Sequence, residues 1–214
     1  MRFSELPKHW QRIFELEWIS LCEGSKAIAA VITDDEENII SEGRNMTGEH
    51  NIPNPAAAHA ETEAIRALDT EKYPNKWGYT LHAGLEPCVM CMGTLVMGGI
   101  RRVEIAARDD FGGAMKLIDM FEFSKNKGIQ VTWLDDERGD MQRAFQTLRE
   151  LYVGTDEEKL GRMMKDFSVY NKSGVDAAVR LWESGILTDP RKFSAEEIFD
   201  RLADIMKGKE YDNN

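Results

Sequence analysis

The fold is decided by three runs in immediate succession: Tyr79-Thr80-Leu81-His82-Ala83, then an apolar stretch that begins Cys88-Val89-Met90-Cys91-Met92 and ends at Met97, then Arg102-Val103-Glu104-Ile105-Ala106-Ala107. The first reads as a strand. The last alternates with period two and reads as another. The stretch between them, residues 88–97, reads as a buried helix, so the two strands are expected as parallel neighbours joined by a crossover. Upstream, Trp10, Ile13, Phe14, Trp18 and Leu21 recur at helical steps across residues 7–22. Ala27-Ile28-Ala29-Ala30-Val31-Ile32 then reads as a strand, and the acidic run Asp34-Asp35-Glu36-Glu37-Asn38 as a solvated turn. A second strand around Ile39-Ile40 completes a hairpin. A long loop over residues 43–55 leads to a short helix over 57–68. Downstream, helices are expected near 117–123 and over 141–152, with a strand at 129–134. Strands alternating with helices in this order imply a layered α/β domain.

Beyond residue 153 the texture becomes entirely helical. Thr155 with Glu158, and Ser194 with Glu197, have the capping-box spacing, each opening a helix-like stretch. Residues 1–153 are therefore read as one domain and residues 154–214 as a helical C-terminal extension.

Composition narrows the function classes. The chain has 214 residues, with 27 Lys+Arg against 38 Asp+Glu, a net charge of −11. That length can bury a real core, and 42% hydrophobic with 30% charged residues describes an ordinary globular protein. Three cysteines are too few for a disulfide-stapled scaffold. No apolar run approaches the ~20 residues needed to span a bilayer, and Lys8, Arg12, Glu15 and Glu17 interrupt the N-terminal segment, so no signal peptide or membrane partner is expected. A reducing cytoplasm is the expected compartment. Polyanion binders usually carry a basic footprint, yet residues 1–120 and 121–214 are both net acidic, which disfavours a nucleic-acid partner.

Two short strings carry chemistry: His59-Ala60-Glu61 and Pro87-Cys88-Val89-Met90-Cys91. Cysteines three apart at a helix start point their sulfurs to one side of its first turn, where the helix dipole favours thiolates. A lone CxxC is equally compatible with redox chemistry or simple burial. An all-cysteine structural zinc site is beyond this chain, because its only other cysteine, Cys22, lies on the first helix. Cys88, Cys91 and one histidine would leave a fourth position open, the mark of a catalytic zinc. His59 is the best candidate, since Glu61 follows it. Residues two apart diverge by ~200° inside a helix, so the pair can meet only at the helix start. There the imidazole could hold zinc while the carboxylate serves as proton carrier.

The pattern H-x-E followed by P-C-x-x-C is the zinc deaminase signature. The sequence resembles the cytidine/deoxycytidylate deaminase superfamily, nearest the branch of tRNA adenosine deaminases and bacterial guanine deaminases. The resemblance covers about residues 27–134. It rests on Gly43-Arg44-Asn45, Ala58-His59-Ala60-Glu61, Leu85-Glu86-Pro87-Cys88-Val89-Met90-Cys91, Ile100-Arg101-Arg102-Val103 and Ala107-Arg108-Asp109. It implies a three-layer α/β/α fold with a five-stranded mixed sheet. It further implies zinc held by His59, Cys88 and Cys91, with Glu61 as general acid/base and release of ammonia from an amino-bearing ring carbon. Asn45 matches a substrate-contacting asparagine, though a plain turn residue is the alternative there. Asp109 matches a segment that helps line the substrate site in the tRNA deaminases, so the resemblance makes it a further candidate for substrate binding. Zinc deaminases of this fold commonly form dimers, so a homodimer is expected.

Departures from the family bear on the substrate. The loop between Asn45 and His59 is longer than in the tRNA enzymes. Asp109-Asp110-Phe111 stands where those enzymes tend to place basic residues, and their basic C-terminal helix is replaced by an acidic-leaning stretch with Asp156-Glu157-Glu158. Arg101, Arg102 and Arg108 could form a local basic patch or be merely solvated. Gly112-Gly113 reads as a flexible loop, and Met90, Met92 and Met97 as core filler around the metal helix. The favoured substrate is a small amino-purine or amino-pyrimidine, as base or nucleoside. A tRNA adenosine deaminase is the alternative. A non-catalytic zinc module is a third reading, against which Glu61 argues, because a purely structural site has no use for that carboxylate.

Overall fold

A computed structural model describes residues 1–75 and 77–208. The last six residues of the expected extension, 209–214, lie outside the described part. Five strands, β1 (Ala29–Thr33), β2 (Ile39–Arg44), β3 (Thr80–Leu85), β4 (Arg102–Ala107) and β5 (Gln130–Trp133), form one sheet in the order β2-β1-β3-β4-β5. β1 runs antiparallel to β2 and β3, whereas β3, β4 and β5 run parallel. The mixed sheet follows from the connections: a short turn joins β1 to β2, and helices cross over between the parallel strands. In that turn Asp34 accepts from the backbone amides of Glu36 and Asn38, which is the solvated turn expected.

Helices cover both faces. α1 (Lys8–Cys22) and α5 (Glu137–Tyr152) lie on one side, and α2 (Ala60–Ala67) and α3 (Val89–Gly98) on the other. The alternation along β1 divides the core: Ala29 and Val31 pack with Trp10, Phe14 and Phe145, while Ala30 and Ile32 pack with Ala64, Leu95 and Ile105. All five β1 residues are buried, as a central strand between two layers requires.

α6 (Glu157–Glu183) and α7 (Ala195–Met206) form the C-terminal extension. They are built into the first core: Ala178 and Leu181 of α6, and Ile198, Phe199 and Leu202 of α7, pack with residues of α1 and α5. Gly174 lets α6 touch α5, because a Cβ there would stand 1.8 Å from the Asp140 carbonyl oxygen. α6 leaves helical geometry once, at Asn171 (φ −126°, ψ 45°), which redirects its first half relative to the part that packs on α5.

Several local expectations are corrected. Asp156, not Thr155, caps α6, accepting from the Lys159 amide; the Thr155 hydroxyl instead donates to Glu150 at 2.6 Å. Ser194 and Glu197 do form a reciprocal capping box on α7. α3 is buried on one face only: Val89 and Met97 are exposed and Met92 is buried, so the three methionines do not act together as core filler. The expected helix near 117–123 is a 3-10 segment, Met115–Met120, followed by one turn of helix, α4 (Glu122–Lys125). Gly113 is not a free loop residue, since it bridges Cys88 in a β-type pair and its amide donates to the Asp109 carbonyl.

Glu17 is a charged residue in a sealed place. It is fully buried on α1, and its Oε1 stands within 2.0 Å of where a Cβ on Gly84 would lie. Neither oxygen has a partner of ordinary geometry, and the Ala29 backbone offsets the burial only in part. Burial therefore holds this carboxyl well above its usual range, and the folded chain keeps a proton that the unfolded chain releases. Stability then falls as pH rises from the ordinary carboxylate value through the folded one. Glu17→Gln is expected to raise the melting temperature at about pH 8, with the gain shrinking toward about pH 4. Thermal melts across that range check this; a gain independent of pH would remove Glu17 as its source.

Candidate active site

Two helices begin at the same place beyond the sheet. β3 ends at Leu85, and Glu86-Pro87 carries the chain to Cys88, the N-cap of α3, with Cys91 in its first turn. His59 is the N-cap of α2, with extended backbone (φ −88°, ψ 147°), and Glu61 lies in the first turn. Because His59 precedes the helical residues, its side chain is freed from helical periodicity and shares a side with Glu61. Gly43 of β2 holds α2 in place, since a Cβ there would meet the Ala60 carbonyl oxygen at 2.2 Å and the Ala64 nitrogen at 2.3 Å.

Three donor atoms converge. His59 Nδ1 stands 3.5 Å from Cys88 Sγ and 3.6 Å from Cys91 Sγ, and the two sulfurs are 3.6 Å apart. A tetrahedral zinc with ligand distances of about 2.0–2.3 Å needs donors about 3.5–3.8 Å apart, so the triangle fits that ion. The donor set, one imidazole and two thiols, is zinc's ordinary one. Cys88 is held down as thiolate, first by its bond with Cys91 and then by His59 and the amides at the α3 N-terminus; that same bond and burial push Cys91 up. The Thr62 hydroxyl donates to Cys91 Sγ at 3.6 Å, orienting the sulfur from behind. The Cys88 bond raises His59, and burial raises Glu61, which is 4% exposed.

This cluster opens into a cavity of about 490 Å³. Its walls include Asn45 after β2, Glu86, Asp109 after β4, and Gln146 of α5. Phe111 and the first half of α6, with Lys159, Arg162, Met163, Asp166 and Phe167, complete it. The structure thus brings His59, Glu61, Cys88, Cys91, Asn45 and Asp109 into one site. Asn45 is buried, and its Oδ1 accepts from the Thr47 amide (3.1 Å) and hydroxyl (2.7 Å). Asp109 Oδ1 accepts from the Phe111 and Gly112 amides, so this carboxylate shapes its own loop. Glu86 is engaged likewise, by the Asp109 and Met115 amides.

Sequence reasoning singled out neither Gln146 nor any individual residue of the α6 wall. Gln146 lies on an amphipathic helix whose register against β4 no local signal reveals, and the turn at Asn171 is equally silent in sequence. Two of the three arginines considered as a basic patch are ion-paired, Arg102 with Asp35 and Arg108 with Asp135. A second group of close donors, His9, His82 and Glu104, lies between α1 and the sheet; both ring nitrogens of His82 are engaged, by Thr33 and Glu104.

Comparison with known proteins agrees with this architecture. The family model for the cytidine and deoxycytidylate deaminase zinc-binding region matches residues 8–107. A tRNA-specific adenosine deaminase from Bacillus subtilis is 33% identical over 137 residues, 60% of this chain and 80% of the relative. One from Haemophilus influenzae is 34% identical over 113 residues, 51% of this chain and 63% of the relative. The chain thus spans under two thirds of the length of the second relative. A solved guanine deaminase from Nitrosomonas europaea shares the fold, with a TM-score of 0.51 at 23% identity, covering 64% of this chain and 82% of that one. With zinc-type donors at two helix starts, a matching family model and a relative 33% identical over 80% of its own length, the chain belongs to the cytidine and deoxycytidylate deaminase zinc-binding family.

Proposed function

We propose that this protein is a zinc-dependent hydrolytic deaminase that removes the exocyclic amino group of a small nucleobase, nucleoside or related amino-heterocycle as ammonia. The observation that carries this reading is the wall made by α6: Met163 and Phe167, with Phe111, bound the cavity into which the His59–Cys88–Cys91 cluster opens. A cavity of that volume, partly covered by a helix, suits a single heterocycle with its sugar better than a splayed nucleic-acid loop. The paired state of Arg102 and Arg108, and the net charge of −11, point the same way. Residues 1–153 are read as the deaminase unit and residues 154–214 as the extension that walls its pocket.

In this reading His59, Cys88 and Cys91 hold the zinc. Bound there, zinc supplies a Lewis acid that makes water a nucleophile at neutral pH. Glu61 takes the proton that water loses and returns it to the departing nitrogen; a carboxyl raised by burial suits that two-way traffic. Asn45 and Asp109 contact the ring or shape the loop beside it. The alternative, a tRNA-specific adenosine deaminase, is favoured by the names of the two relatives above. That activity would weaken steeply with added salt.

A homodimer in the cytoplasm completes the proposal. Val89 and Met97 on α3, with Met120, Phe121 and Phe123 nearby along the chain that packs on it, present exposed apolar side chains that a second copy would cover. Cys88 and Cys91, as proposed zinc ligands, need the reduced state that such a compartment maintains. No helix among the described residues is long and apolar enough to cross a membrane.

Ammonia release measured across guanine, adenine, cytosine and their nucleosides is expected to find at least one efficient substrate. Inosine formation in tRNA with no turnover on any of these would overturn the small-substrate reading. Glu61→Gln is expected to retain about one zinc per chain by elemental analysis while turnover falls by about 10²–10⁴-fold, because the carboxylate moves protons and does not ligate the metal. Unchanged turnover would take Glu61 out of the mechanism. Light scattering should give twice the chain mass, and Phe121→Glu with Met97→Glu should return the monomer; a wild-type monomer at micromolar concentration would refute the dimer.

A further inference from the structure

The cavity wall holds an amide whose orientation is fixed by chemistry. Gln146 of α5 is buried and lines the cavity. Its Oε1 accepts from Arg143 Nη1 at 2.5 Å. A guanidinium has only donors, so the amide cannot be turned over: the oxygen faces Arg143 and the NH2 group points away from it. Among the described residues Nε2 has no acceptor, and it is not one of the sealed unpartnered atoms. Those two facts leave the cavity as the place onto which this donor opens.

Arg143 is itself buried and held by several partners. Its side chain is 3% exposed, its Nη2 donates to the Arg108 carbonyl at 2.6 Å and lies 3.6 Å from Asp109 Oδ1, and its guanidinium stacks 4.4 Å from the Phe167 ring. It therefore ties the loop after β4, helix α5 and the first half of α6 to one orientation of Gln146. Asn45 repeats the pattern elsewhere in the wall of the same cavity, with its side-chain oxygen taken by Thr47 and its Nδ2 without an acceptor among the described residues. The wall carboxylates Glu86 and Asp109 are occupied by backbone amides.

From this we infer that Gln146 is a specificity-determining residue, held by Arg143 as a positioning residue, and that it reads an in-plane acceptor on the substrate ring. The inference rests on the small-heterocycle reading and sharpens it: the substrate is an aminated nitrogen heterocycle carrying a further ring nitrogen or oxo oxygen at the edge that meets Gln146. A ring with a C–H at that position would leave a buried donor unpaired and is rejected for that reason.

The test uses the full-length zinc-loaded protein and measures kcat/KM for parent rings and for deaza analogues in which one ring nitrogen at a time becomes C–H, with des-oxo analogues alongside. In the wild type one such replacement is expected to cost about tenfold. Gln146→Leu should cost the parent a similar factor and that analogue nothing more, the non-additivity of a direct contact. Gln146→Glu keeps the bond to Arg143 and the melting temperature yet turns the donor into an acceptor, so it should lose the parent too. Loss without a change in folding is what a merely structural residue would not produce. Full wild-type activity in Gln146→Glu, or an equal loss on parent and every analogue in Gln146→Leu, overturns the assignment. If the leucine variant does not fold, the glutamate variant decides alone. Absence of any wild-type turnover or binding across the panel would instead bring down the deaminase reading itself, and this inference with it.

Discussion

The structure depends on one convergence: the N-terminal ends of α2 and α3 must arrive within hydrogen-bonding distance of each other beyond β3. Only there can an imidazole from one helix and two thiols from the other close a triangle with edges of 3.5–3.6 Å. Both helices bring the same asset, unpaired backbone amides that favour negative charge, so the Cys88 thiolate can share a largely buried space with the Cys91 thiol and the Glu61 carboxyl. The parallel β3–β4 pair sets where α3 starts, and the tight contact of Gly43 with Ala60 and Ala64 sets where α2 starts. A side chain at position 43 would push against the backbone of α2, the helix that carries His59 and Glu61 at its start.

The other half of the site is built by helices that hold no metal donor. α5 packs on the sheet between α1 and α6, and its buried Arg143 joins Asp109, Gln146 and Phe167. Burying a guanidinium costs stability unless its partners are all in place, and burial indeed draws Arg143 down to about 10. Such a group gives rigidity, since each partner holds a different element. The pocket's polar face is thus set by α5 and α6 together, and it differs in kind from the donor triangle: the triangle is an imidazole and two sulfurs, whereas this face carries amides and carboxyls.

Legibility in the sequence followed the range of the interactions. The β-β-α-β-α-β order was readable because each segment carries its own period, and the five-stranded layered fold emerged as expected. The donor cluster was readable because His59-Ala60-Glu61 and Pro87-Cys88-Val89-Met90-Cys91 are local strings whose spacing makes sense only at helix starts. Readings failed where a neighbour decides. Val89 and Met97 looked buried because apolarity was all that could be seen, yet they face outward. Thr155 had the spacing of a cap, but Glu150, one turn back on α5, captured its hydroxyl and left Asp156 to do the capping. Gly112-Gly113 looked loose until Cys88 and Asp109 closed around it.

What the sequence alone determined is the set of metal-type donors and the layered scaffold under them, because helix starts, strand periods and metal-type spacings are local properties of the chain. What only the tertiary structure decided is the shape and polarity of the space in front of those groups. The first half of helix α6 lines that space, set off by the turn at Asn171 from the half that follows it, and Gln146 faces it because Arg143 takes its carbonyl. Neither relation has a local signature: a packing register between helices is fixed by how whole faces fit, and an amide's orientation by which neighbour can donate.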